Sequence, residues 1–240
     1  MIAALAAVTL GLVGLSAQSA ITLRQVTPRY PSTSQSDAFR LVINLTDPSR
    51  DFSPSVQNTY VASIHVGAGL ALVGNVDSTP NARIFYQNGT AEQRRDGHST
   101  VITDSGTPPF PSGLRLTKDG PDAKVSTAHL DAGQGTPGIR LSNFPEPYVF
   151  LNPETWLACN QSLAYYQGQY FIILKQAQTS VGQDGYANPN IPQNCVPVRL
   201  VPECTQLNSL PPGSYSSHEF AVNDRCYDDV SSIDWSEYGP

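Results

Sequence analysis

Positive charge is the first shortage in this sequence. Lysine and arginine together number 14 against 20 aspartates and glutamates, a formal net charge of −6. The basic residues are also scattered, since the only adjacent pair is Arg94-Arg95 and Asp96 follows it at once. A phosphate backbone is bound by clustered cations that replace its counterions, so nucleic acid is not an expected partner. Methionine is limited to Met1 and lysine is rare. No segment carries a helical apolar period sustained over three turns with a cap at its head; the best helical stretch, 91–95, is a single turn. That excludes a helical domain. After residues 2–15 no apolar run of membrane-spanning length recurs, and no Gly-x-Ser-x-Gly elbow follows a strand. Cys-x-x-Cys pairs are missing as well, and the one histidine near any cysteine in sequence is His218, which leaves a zinc site as the weaker reading of the cysteines.

What is present begins with an address. The first twenty residues carry no charged side chain, an apolar run over 2–15, and a small-residue exit at Ala17, Gln18, Ser19 and Ala20. The run falls short of the roughly 20 residues that cross a bilayer as a helix. Although a Lys or Arg near the start is missing, residues 1–20 are expected to be a secretory signal peptide cleaved after Ala17 or Ala20. The last residues, 234–240, are acidic and polar, unlike a glycolipid-anchor tail. The expected product is secreted and extracellular, with no membrane attachment after cleavage.

Strand-like runs rich in Val, Ile, Thr, Tyr and Phe fill the rest, at 21–26, 39–45, 60–66, 82–87, 100–103, 148–151, 155–160, 169–175 and 196–201. In 39–45 the residues Phe39, Leu41, Ile43 and Leu45 share one face, as a half-buried strand requires. The run 170–174 is continuously apolar and is expected to be a central strand buried on both faces. Between 104 and 147 Gly and Pro are frequent, which predicts long loops with short strands at 114–117, 124–129 and 139–142. The expected fold is all-β, an antiparallel sandwich or barrel-like domain with long Gly/Pro-rich loops and little helix. It spans 21–202. Residues 203–240 read as an acidic, Pro- and Ser-rich surface tail pinned by a disulfide.

Four cysteines in an oxidising compartment imply two disulfides, for which three connectivities exist. We favour Cys159–Cys195, tying the strand at 155–160 to the last one, and Cys204–Cys226, closing the tail on itself. Each loop closure is worth about 3 to 4 kcal/mol by chain entropy. N-glycosylation sequons stand at Asn44, Asn88 and Asn160, and any that is used must face solvent. Asn88-Gly89 equally suits a hairpin turn.

Candidate chemistry is sparse. Asp104-Ser105-Gly106-Thr107 resembles an aspartic-protease loop, in which a carboxylate shares a proton with a second one. No second Asp-Ser/Thr-Gly triplet exists, and Asp-Ser-Gly is also an ordinary turn. His65, His98, His129 and His218 are isolated; His65 is expected on a strand face with Val61 and Ser63, and His98 with His129 has no supporting ligand pattern. Gly67-Ala68-Gly69 fits a bulge or hinge better than a phosphate loop. The acidic group Asp224, Asp228, Asp229, Asp234 and Glu237 lacks a calcium-loop register and is expected to be solvated. Tyr148, Phe150, Trp156, Tyr165, Tyr166, Tyr170 and Phe171 gather on neighbouring strands, where some form core and others could stack on sugar rings. No catalytic, cofactor-binding or metal residue is assigned.

The segments 60–69, 82–89, 155–159 and 191–200 resemble an uncharacterised family of small secreted fungal proteins carrying a domain of unknown function. The resemblance covers about 21–202. It implies a secreted β-rich domain with a Cys159–Cys195 bridge and implies no activity. The expected role is a non-enzymatic extracellular binding, cell-wall-associated or host-interaction protein that meets a glycan or another extracellular protein. The alternative is a carboxylate-dependent hydrolase, aspartic-protease-like or glycoside-directed, using Asp104.

Overall fold

The computed structural model describes residues 29–143, 145–183 and 187–238. The expected signal segment and the strand expected at 21–26 lie outside them. The strands are β1 (Ser34–Ser36), β2 (Ala38–Leu45), β3 (Tyr60–Gly67), β4 (Leu70–Val76), β5 (Phe85–Asn88), β6 (Thr100–Ser105), β7 (Phe110–Lys118) and β8 (Val125–Ala132). They continue with β9 (Arg140–Leu141), β10 (Leu151–Asn152), β11 (Trp156–Leu163), β12 (Gln169–Ala177), β13 (Thr179–Val181), β14 (Ala187–Pro189), β15 (Cys195–Thr205) and β16 (Asp224–Cys226). The one α-helix among the described residues, α1 (Ala91–Arg95), falls where the sequence placed its single helical turn.

The protein is all-β and antiparallel, as expected. Ten strands form one sheet in the order β11-β15-β2-β3-β4-β12-β8-β7-β6-β5. Further pairings of β11 with β12, β2 with β5 and β4 with β8 bend that sheet back on itself. One closed circuit runs β11-β15-β2-β3-β4-β12 and returns to β11; the other runs β2-β5-β6-β7-β8-β4-β3 and returns to β2. Closure leaves few free edges for other chains to pair with. The core lies inside these circuits. Phe39, Leu41 and Ile43 on β2 point into it, joined by Phe85, Leu114, Trp156 and Leu200, all fully buried. Each such side chain contributes about 1.5–3 kcal/mol of apolar burial.

Several expectations change. Residues 70–76 form β4, so Gly67-Ala68-Gly69 is the turn of a β3–β4 hairpin. Gly69 has φ +69° and the register slips between His65 and Gly67, a bulge. The segment 148–151 yields only the two-residue β10. The loops of 104–147 are shorter than expected, because β7 and β8 extend well beyond 114–117 and 124–129. Gly113 allows this crowding, since a Cβ there would lie 2.0 Å from the Gly135 nitrogen.

The run 170–174 is not buried on both faces. Tyr170 is 70% exposed while Ile173 and Leu174 are buried. The pairing explains it: β12 reaches β4 at Ile173 and β8 at residues 175–177, so its first residues have only β11 beside them. Nor is Asn88-Gly89 a hairpin turn. It leads into α1, where Thr90 Oγ1 accepts the Gln93 amide at 3.2 Å and Gln93 Oε1 accepts the Thr90 amide at 2.9 Å, a capping box.

The C-terminal segment departs furthest from a surface tail. Val222, Cys226, Tyr227 and Val230 are buried, and β16 pairs with β1. The Tyr227 amide donates to the Pro202 carbonyl at 3.0 Å and the Cys204 amide to the Tyr227 carbonyl at 2.8 Å. Its phenol oxygen accepts the Val149 amide at 2.9 Å. The segment therefore supplies part of the same core.

Candidate functional site

The Asp-Ser-Gly triplet closes the β6–β7 hairpin. Gly106 takes φ +79°, which lets the chain turn at the end of β6. Asp104 does not face a second carboxylate. Its side chain is 7% exposed, and its Oδ2 lies 2.9 Å from Nε2 of His218, itself 16% exposed. The Tyr86 hydroxyl stands 3.5 Å from Oδ1, at the limit of a hydrogen bond, and burial first and then the Asp104 charge push that phenol well above its usual range. The Tyr86 ring meets the imidazole edge-on at 4.8 Å. Arg83 borders the cluster, donating to the Asp104 carbonyl at 3.3 Å and through Nε to Ser63 Oγ at 2.9 Å. A concavity of about 330 Å³ opens beside it, lined by Arg83, Asp104, Ser105, Asn208 and Ser209.

The C-terminal segment delivers His218. The amides of Tyr215 and Ser216 donate to the Pro109 carbonyl at 2.7 and 3.1 Å. Farther on, the Gly89 amide donates to Phe220 and the Val222 amide to Gln87, so the segment runs along β5 and covers its edge. A nucleophilic triad would need a hydroxyl or thiol on the free ring nitrogen of His218. Among the described residues no such group is hydrogen-bonded to that ring. What the arrangement does chemically is orient an imidazole and hold the segment down. No local pattern announces the pair, whose members are 114 positions apart.

The other histidines stay apart. His65 is exposed at the end of β3, His98 is exposed after α1, and His129 Nδ1 lies 3.9 Å from Asp131 Oδ1. Among the described residues no group of three His, Cys, Asp or Glu side chains has the geometry to hold a metal ion. Of the acidic C-terminal group, Asp228, Asp229, Asp234 and Glu237 are exposed, as expected of solvated carboxylates. Asp229 accepts the Ser231 hydroxyl and Asp234 the Ser236 hydroxyl, and each also accepts an amide of a short 3-10 turn, which lowers their carboxyls. Asp224 differs: burial pushes its carboxyl up to about 6, against the pull of Arg94, Arg225 and Arg140.

The aromatic set divides. Trp156 and Phe150 are core, the latter under the Arg199 guanidinium at 4.8 Å, and Tyr148 packs between Tyr30 and Trp235. The rest gather at the β11–β12 turn. Tyr165, 57% exposed, meets His65 at 5.7 Å and Tyr166 at 5.2 Å, and Tyr166 meets Phe171 at 4.8 Å. The Tyr166 hydroxyl donates to the His65 carbonyl at 2.9 Å. His65, Tyr165, Tyr166 and Phe171 make one continuous ridge, its His65 and Tyr165 end exposed and its Tyr166 and Phe171 end half-buried, while Tyr170 stands apart.

Both disulfides are in place. Cys159–Cys195 joins directly opposed residues of β11 and β15, with Cα atoms 4.0 Å apart, and Cys204–Cys226 ties β15 to β16 at 5.1 Å. The sequons differ in setting. Asn44 is half-buried within β2, opposite Arg199; Asn88 is half-buried and its Nδ2 donates to Gln134 at 3.5 Å; Asn160 is exposed near the open end of β11.

Residues 36–204 match a family described as a domain of unknown function, DUF7907. The chain belongs to that family. It is also 61% identical over 220 residues to "Antigenic protein SchS34" of Stachybotrys chartarum, covering 92% of this chain and 99% of that protein. No solved structure matches. The DUF7907 match includes Asp104, Tyr86 and the whole ridge, but ends at Cys204 and so leaves His218 outside. The fungal resemblance read from the sequence is thereby established.

Proposed function

We propose that this DUF7907 protein is exported, N-glycosylated, and works outside the cell as a non-enzymatic binding protein, at a cell wall or a host surface. The observation that carries this reading is the ridge of His65, Tyr165, Tyr166 and Phe171. A tyrosine face stacks on the apolar face of a sugar ring while its hydroxyl stays wet. The ring contacts and the Tyr166–His65 hydrogen bond hold the ridge in place, so little ordering entropy is lost on binding. Two disulfides suit an oxidising compartment, and a relative named as an antigenic protein fits exposure outside its cell. The expected ligand is a glycan. Binding to an array of cell-wall polysaccharides and surface glycans tests it: Tyr165→Ala and Tyr166→Ala should each weaken a positive signal about tenfold or more. Unchanged binding by both variants, or no binding by the intact protein, sinks the reading.

The Asp104–His218 pair favours a second reading, a hydrolase whose carboxylate acts next to Arg83 in the neighbouring concavity. It requires hydrolysis of a peptide or glycoside substrate by the intact protein and its loss in Asp104→Asn. The high internal engagement of Asp104 argues against it, because a general base must reach the proton it takes.

A further inference from the structure

Beside Asn160 lies a concavity of about 630 Å³, within the roughly 300–1,000 Å³ typical of small-molecule sites. Register places its floor. Asn160 on β11 stands opposite Ile172 on β12, and Ser162 stands opposite Tyr170. Side chains alternate along a strand, so Asn160, Ile172 and Tyr170 share one face, with Tyr170 on the diagonal from Asn160, within reach of a large side chain. Tyr170 is 70% exposed there, a large ring with no aromatic neighbour among the described residues. The same hollow is lined by Phe52, Asn75, Asp77 and Asn81. An aromatic face rimmed by amides and a carboxylate is the chemistry that receives a sugar.

We propose that this concavity seats the chain's own N-linked glycan, carried on Asn160, with its first sugars lying on the Tyr170 ring. The inference rests on the export and glycosylation in the reading above, and it names which sequon is used and where its glycan goes. Asn160 is exposed and its side-chain amide has no hydrogen bond among the described residues; the Asn194 amide bonds only its main-chain carbonyl. Asn88 is half-buried and bonded to Gln134, with its sequon hydroxyl, Thr90, committed to the α1 cap. Asn44 is half-buried in mid-strand. In the attachment step, on the secreting host's transferase, the Asn160 amide nitrogen attacks the anomeric carbon of a lipid-diphosphate-linked oligosaccharide. A C–N bond forms, the anomeric C–O bond breaks with its electron pair leaving on the lipid diphosphate, and the amide proton passes to a base of that transferase. The tether then keeps the first sugars at high local concentration over Tyr170.

The experiment uses the full chain secreted from a eukaryotic host. Peptide mapping by mass spectrometry reads occupancy at each sequon, and endoglycosidase digestion of the folded protein reads how accessible the Asn160 glycan is. The expected result is an occupied Asn160 whose glycan is released about fivefold more slowly than from Tyr170→Ala, with Tyr170→Phe restoring the slow rate because it keeps the ring. Equal release rates from wild type and Tyr170→Ala overturn the seat while leaving export and glycosylation standing. So does an empty Asn160 when Asn44 or Asn88 is occupied. If no sequon carries a glycan, both the seat and the glycosylation on which it rests are overturned.

Discussion

Two histidines meet tyrosine rings edge-on in this molecule, and their surroundings give them opposite duties. His218 stands 4.8 Å from Tyr86 at 69°, and His65 stands 5.7 Å from Tyr165 at 83°. The ring geometry is nearly the same. Tyr86, however, is 1% exposed, and its histidine is bonded to a carboxylate, whereas Tyr165 and His65 are both open to solvent. In the first place the contact fastens the C-terminal segment over the edge of β5; in the second it stiffens a surface. Burial and hydrogen bonding, not the ring pair itself, decide whether such a contact fastens a segment to the core or lies on the surface.

The buried member should break most expensively. Tyr86→Ala empties a filled core position and is expected to cost about 3–5 kcal/mol in denaturant unfolding. A cost near zero would show that the segment is held elsewhere. Asp104→Asn keeps the shape but removes the charge facing His218, and should cost about 1–3 kcal/mol while leaving binding at the ridge unchanged.

Asp224 extends the comparison along the same buried segment. Its carboxyl is pushed from 3.8 up to about 6, so the folded state holds a proton that the unfolded chain has already released between those values. Stability contributed by this group is therefore intact below about pH 4 and declines as pH rises through about 6, by up to roughly 3 kcal/mol at about 1.4 kcal/mol per unit. Asp224→Asn should recover about 1–3 kcal/mol above pH 7 and nothing near pH 4, as measured by melting across pH. At the exposed end, Tyr165→Ala should change stability by no more than about 0.5 kcal/mol while weakening ligand binding. A larger stability loss would make the ridge another structural contact.

Much of the fold was legible because local pattern and tertiary demand agree. The period-two alternation of Phe39, Leu41 and Ile43 predicts β2, and the single helical turn expected at 91–95 is α1. β4 was missed for a reason visible in Gly74. A Cβ there would stand 2.4 Å from Ile64 Cδ1 and 2.8 Å from the Ile172 carbonyl. The close approach of β3 and β12 demands glycine at a position where glycine weakens the strand pattern. Tyr227 and Val230 were missed because each is a single large apolar residue among aspartates and serines, with no period to mark it. The candidate sites were harder still. Asp104 was singled out, but its partner His218 and the meeting of His65 with Tyr165 depend on how distant strands pair.

By itself the sequence determined an antiparallel all-β chain with little helix, two cysteine pairs suited to bridging, and three sequon tripeptides. Each of those follows from residue type and short spacing, which act over a few positions along the chain. Only the tertiary structure decided that the C-terminal segment enters the core, that Asp104 is joined to an imidazole instead of a second carboxylate, and that some tyrosines form a ridge while others are buried. Those outcomes depend on which faces are covered when the sheet closes on itself, and closure is set by contacts between residues far apart in sequence.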